Sequence, residues 1–171
     1  TVGDTFATKN EMTGSIILAV PGISTATGAN LITNGGFDND LSGWTTVDAT
    51  TSWMQGGYLR IVPNVAVNGA VYQSFTTVIG QRYSVSVDVI AADPISVPPS
   101  PFARINVGTT TDITLAERYL HTGQTALHNV SRGRHRTSFT ATTTTTTLWL
   151  EVGGGNQTQV DFDNVVVKQE D

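Results

Sequence analysis

Cysteine is absent from the 171 residues. That excludes a disulfide framework, thiolate metal sites and thiol catalysis together. Lysine is almost absent, with only Lys9 and Lys168 present. Charged residues make up 13% of the chain, about half the share of an average globular protein. The formal net charge is −5, and phosphate backbones are held by basic faces, so nucleic acid is not an expected partner. Long hydrophobic runs are missing as well. The best one, Ile16 to Val20, falls far short of the roughly 20 residues that cross a bilayer, so no membrane insertion is expected. It also fails as a signal peptide, because no basic region precedes it and Asp4 and Glu11 do. With Thr1 at the start, synthesis in a host cytoplasm without a secretion signal is one expectation. A piece of a longer, secreted chain would present the same start. The Gly-x-Ser-x-Gly elbow, the His-Glu-x-x-His pair and the phosphate loop are all missing, and the chain is read as a non-enzyme.

What is present is threonine, valine and turn residues. β-branched side chains fit a pleated surface better than a helix. Tyr83, Val85, Val87 and Val89 alternate with Ser84, Ser86 and Asp88, which is the period of a half-buried strand. Val71, Gln73 and Phe75 alternate with Tyr72 and Ser74, and Leu148, Leu150 and Val152 with Trp149 and Glu151. Ile79-Gly80-Gln81 reads as a hairpin turn between the first two runs. Val160, Phe162 and Val165 to Val167 make a last strand. The Thr142–Thr147 run reads as a Thr-rich turn between a strand at Phe139 and another at Leu148, with a low-complexity linker as the alternative. Pro94, Pro98, Pro99 and Pro101 mark a loop, and Ile113 to Leu120 holds at most a turn or two of helix. Many short strands with frequent turns point to an all-β sandwich or jelly roll. Residues 1–28 read as an extended N-terminal arm, ended by Pro21-Gly22 and a short linker. Residues 29–171 read as one domain.

Asn30-Leu31-Ile32-Thr33-Asn34-Gly35-Gly36-Phe37-Asp38, followed by Leu41-Ser42-Gly43-Trp44, resembles the opening of family 4/9 carbohydrate-binding modules. These are galactose-binding-like jelly rolls. The likeness continues through Val71–Phe75, Gly80-Gln81-Arg82-Tyr83 and Leu150–Gly153, and closes with Val160-Asp161-Phe162-Asp163-Asn164-Val165. The pieces occur in family order over roughly residues 29–168. The Asn-Gly-Gly-Phe-Asp opening with its Gly-Trp is also similar to modules found in phage head and tail proteins. Fold does not fix function, so each candidate site needs its own argument.

The resemblance implies a structural Ca²⁺, held by the backbone carbonyl of Gly36 and the carboxylates of Asp38 and Asp163. Such hard oxygen ligands suit this ion. Where the family often has a further acidic ligand, this chain has Gln55. The bland alternative has Asp38 capping a turn and Asp163 accepting backbone amides. For sugar, the alternation of the Leu148–Val152 strand puts Trp149 and Glu151 on the outer face of their sheet. Glu151 falls where the resemblance implies a ligand contact. Trp53, Tyr119, His121 and Arg104 are the candidates to join them, with aromatic rings for stacking and polar groups for hydroxyls. The alternative is that the arm or a partner subunit covers Trp149. Phe37 and Trp44 are read as core. Arg132, Arg134 and Arg136 fall on alternate positions, so in a strand they share a face. They suit phosphate or carboxylate, or simply protect an edge strand by charge. His121, His128 and His135 lie seven apart, a spacing with no zinc signature.

Two non-catalytic readings of function result, beside a third, a stand-alone hydrolase on a jelly-roll scaffold whose paired carboxylates would converge in space. In the first, the protein is a virion accessory subunit, a capsid decoration, head-fibre or tail-appendage protein. Its arm would dock on other virion proteins or sister subunits in a homo-oligomer, and its sandwich would reach cell-surface or environmental polysaccharide. In the second, it is a binding module of a secreted polysaccharide-degrading enzyme.

Overall fold

The computed structural model describes residues 28–64, 68–92, 102–109, 111, 126–128, 132–153 and 159–171. Except for Gly28, the expected arm lies outside this set, as do the Pro94–Pro101 loop and the Ile113–Leu120 segment. The described residues are all-β. The strands are β1 (Thr45–Val47), β2 (Ala49–Met54), β3 (Tyr58–Pro63), β4 (Gly69–Thr76) and β5 (Arg82–Ala92). They continue with β6 (Phe102–Gly108), β7 (Ala126–His128), β8 (Gly133–Thr140), β9 (Thr145–Gly153) and β10 (Val160–Gln169). Two five-stranded antiparallel sheets result, in the orders β1-β4-β9-β6-β7 and β2-β3-β10-β5-β8. This is the β-sandwich of jelly-roll type that the sequence leads one to expect.

The alternation of each strand decides what the sheets enclose. From the first sheet, Val71, Phe75, Ile105, Val107, Leu148, Leu150 and Val152 enter one core. From the second come Leu59, Ile61, Tyr83, Val85, Val87, Val89, Phe139, Phe162 and Val167. Tyr83 stacks on Phe139 with ring centres 5.3 Å apart. Phe37 is fully buried and Trp44 packs against the same cluster, as expected of core residues.

The 30–44 segment is pinned to the strands at two places. Asn30 Oδ1 accepts from the backbone N–H of Ile32 and Val167, and Asn30 Nδ2 donates to the Val165 carbonyl. Gln73 points inward from β4, where an unpaired amide would be costly. Its amide is satisfied: Nε2 donates to the carbonyls of Thr33 and Gly43, and Oε1 accepts from Thr33 N–H.

The expected hairpin at Ile79-Gly80-Gln81 is not one. The turn is present, with Gln81 N–H bonded to the Val78 carbonyl at 3.0 Å. However, β4 belongs to the first sheet and β5 to the second, so the segment arches between sheets. The Thr-rich run crosses the same way, from β8 to β9. The two arches are laced together: Thr77 N–H donates to the Thr144 carbonyl and Gly80 N–H to that of Ala141. Thr77 Oγ1 donates to the Thr143 carbonyl and lies 2.9 Å from Thr146 Oγ1.

Candidate functional site

The outer face of the first sheet carries the residues that alternation assigns to sugar. Cross-strand register puts Trp149 between Tyr72 and Asn106, and Glu151 between Ala70 and Arg104. Glu151 Oε1 accepts from Asn68 Nδ2 at 2.9 Å, and Oε2 from Asn106 Nδ2 at 2.7 Å. Trp149 packs on Tyr72, ring centres 4.6 Å apart, and on Ala70 and Val47. Trp149, Glu151 and Arg104 are therefore brought together, and Asn68, Asn106 and Tyr72 are members of the cluster that sequence reasoning missed. Their amides and ring could be found only from the strand register.

The expectation of an open face is corrected. Trp149 has no exposed surface and Glu151 is 1% exposed. A ring without exposed surface offers no stacking platform in this conformation, and a carboxylate held by two amides is already satisfied. Trp53 does not join them either. It lies on β2, in the other sheet, and its indole N–H donates to the Phe37 carbonyl at 2.7 Å. Tyr119 and His121 lie outside the described residues. Of the spaced histidines, His128 is on β7 and His135 on β8, in different sheets.

Of the candidate metal ligands, Asp38 and Asp163 are near enough for the charge of one to act on the other. Asn34 and Phe37 adopt positive φ (50° and 48°), folding the 34–38 segment into a tight turn. The β2–β3 turn lies over it: a Cβ built on Gly57 would sit 3.9 Å from the Gly36 carbonyl and 3.8 Å from Asp38 Cα. Asp163 is reached from the irregular part of β10, where pairing with β5 shifts between Asp163 and Val166 and Asn164 takes φ 49°. Burial, then the negative charges of Asp88 and Asp38, push the Asp163 carboxyl above the usual range, against the Asn164 N–H and the Arg134 charge. Asp163 also accepts from Asn164 N–H at 2.6 Å and from Asn164 Nδ2 at 3.1 Å. Two carboxylates and a nearby backbone carbonyl suit a hard cation. Among the described residues no group of three or more His, Cys, Asp or Glu side chains that could hold a metal ion forms.

On the second sheet, β8 is an edge strand on which Arg134 and Arg136 share a face, while Arg132 precedes the strand. Arg134 forms a two-point ion pair with Asp88, at 2.6 and 2.8 Å. This contact holds the Asp88 carboxyl below the ordinary carboxylate range and raises the guanidinium. Arg82 pairs with Glu170 and Arg60 with the buried Asp161, both at 2.7 Å. A groove of about 790 Å³ opens across β8, β5 and β10.

No protein-family model matches the chain, and no curated protein does. Solved structures do. A CBM4 structure aligns over 81% of this chain and 99% of its own, at 18% identity and a TM-score of 0.53. Family 16 Carbohydrate Binding Module-2 aligns over the same shares, 81% and 99%, at 13% identity and a TM-score of 0.53. The enzymatically active domain of tailspike protein 4 of bacteriophage CBA120 aligns over 82% of this chain and 21% of its own, at 13% identity and a TM-score of 0.47. The first two establish that this chain has the fold of a carbohydrate-binding module; the third is too loose to add to that.

Proposed function

We propose that this chain is a non-catalytic glycan-attachment module. The observation that carries the reading is the sandwich fold shared with CBM4 and Family 16 Carbohydrate Binding Module-2 over nearly the whole of those chains. A second observation supports the absence of catalysis. The buried acids are committed to fixed partners, Glu151 to two amides and Asp161 to Arg60. Neither carboxylate reaches the surface, at 1% and 2% exposure, where a substrate would meet it. The test is electrophoresis through gels loaded with neutral and acidic polysaccharides, paired with an assay for released reducing ends. Retardation by at least one polysaccharide with no release is expected. Release of sugar, or no retardation in any gel, contradicts the reading.

In its finer form the module is a virion accessory subunit docked through residues 1–28, with residues 29–171 projecting. The burial of Trp149 and Glu151 argues against a sugar platform on the first sheet and bears equally on both readings. The shared fold is equally compatible with a module of a secreted polysaccharide-degrading enzyme. Deleting residues 1–28 separates the two. The virion reading expects a folded chain that loses its oligomeric state in light scattering. An unchanged mass removes docking through the arm.

We also propose structural calcium at Asp38, Asp163 and the Gly36 carbonyl. Calcium there would neutralise two carboxylates that repel each other and tie the first turn to the last strand.

A further inference from the structure

The groove on the second sheet lies on the opposite side of the sandwich from Trp149 and Glu151. Register builds its floor: Arg136, Ser86 and Val166 form one row across β8, β5 and β10, and Ser138, Ser84 and Lys168 the next. All six line the groove. Three hydroxyls and one apolar side chain therefore lie between two cations.

The charges do not balance. Asp88 is held by Arg134 and Glu170 by Arg82. Neither Arg136 nor Lys168 has an ion-pair partner among the described residues. The surplus is local, because the chain as a whole carries −5. Against that background a local pair of unpaired cations is a place where an acidic ligand would be drawn. The two cations stand two strands apart and two residues out of step. That is roughly 10 Å across and about 7 Å along, from ordinary strand spacing and rise. Such a separation suits two acidic groups carried on one chain better than one small anion. The volume is also in the usual range of small-ligand sites, about 300–1,000 Å³. No aromatic ring lines the groove, so stacking on a neutral sugar face is not available there. Hydroxyls for sugar hydroxyls and cations for acid groups are.

We propose that this groove binds an acidic glycan, one bearing carboxylate or sulfate groups, with Arg136 and Lys168 pairing two of its acid groups over the serine floor. The proposal rests on the reading of the chain as a glycan-attachment module and names that module's ligand class and face.

The test is calorimetric titration of the whole chain with octagalacturonate, its fully methyl-esterified neutral form, and a sulfated chondroitin octasaccharide. Binding of at least one acidic probe is expected, with affinity falling steeply as salt rises. The neutral ester is expected to bind at least tenfold more weakly. Arg136→Gln with Lys168→Gln should lose tenfold or more at unchanged melting temperature. Arg132→Gln, an exposed cation outside the groove, should leave affinity as it is. Octagalacturonate offers carboxylates alone, and the chondroitin octasaccharide carboxylates together with sulfates. Equal binding of the neutral ester, or an unaltered double variant, overturns the groove while leaving the module reading intact. Failure of both acidic probes also overturns it. Only the further failure of neutral polysaccharides in gel electrophoresis removes the module reading as well.

Discussion

Trp149 shows how one residue can have a legible direction and an illegible environment. Alternation along β9 places it outward, and it does point away from the core containing Leu148 and Leu150. Its complete burial depends on what lies over the sheet, which the strand's own residues do not encode. Trp149→Ala should therefore act on stability, at a cost of about 3–5 kcal/mol. In a chain this size that corresponds to a drop of about 6–20 °C in melting temperature, measurable by scanning calorimetry. A small thermal effect with lost glycan binding would instead make the ring a ligand platform. Asp163 gives a prediction of opposite sign. Its folded-state pKa is raised, so the native state holds its proton more tightly than the unfolded chain does. Keeping it ionised thus weakens the fold at pH above that raised value, and the penalty disappears as pH falls through it. In chelator at pH 7, Asp163→Asn should be more stable than the parent by about 1 kcal/mol or less, given solvent screening. The gap should close on acidification through the carboxylate range. In calcium the order should invert, with only the parent gaining melting temperature. An Asp163→Asn variant that responds to calcium like the parent would remove the ion from this position.

At the scale of elements, strands were legible and their neighbours were not. The period of two fixes which side chains share a face, and β4, β5 and β9 follow it, while the irregularity in β10 shifts its phase so that Phe162 and Val165 both face the core. Partnership is another matter, because Ile79-Gly80-Gln81 offers the same local turn to a hairpin and to an arch between sheets. Only the long-range bonds of Thr77 and Gly80 to the Thr-rich arch decide between them. The opening motif had a clearer physical cause. A Cβ added to Gly35 would run into the Val165 carbonyl, a backbone atom that cannot turn aside. Val165 N–H also donates to the Gly35 carbonyl at 2.8 Å. Gly35→Ala should therefore push the 30–44 segment off β10 and destabilise the chain by about 1–3 kcal/mol, as overpacking does. Chemical denaturation measures this directly. A change below about 0.5 kcal/mol would mean that the first turn and last strand are not in the contact described.

At the scale of the molecule, the sandwich has one outer face whose conspicuous residues are buried and another with an open, locally basic groove. The first drew attention in the sequence because its residues fall inside a recognisable motif. The second was half visible, since Arg134 and Arg136 alternate. Lys168 comes from the far end of the chain, and Asp88 and Glu170 neutralise Arg134 and Arg82 only once β5, β8 and β10 are side by side. The central claim, that glycan is held on the second sheet, is tested most directly by backbone amide NMR of the labelled chain titrated with octagalacturonate or the sulfated octasaccharide. The account predicts shifts concentrated at Ser84, Ser86, Arg136 and Lys168, with the Trp149 indole signal unmoved. Shifts centred on Tyr72, Trp149 and Glu151 would contradict it and return the ligand to the first sheet.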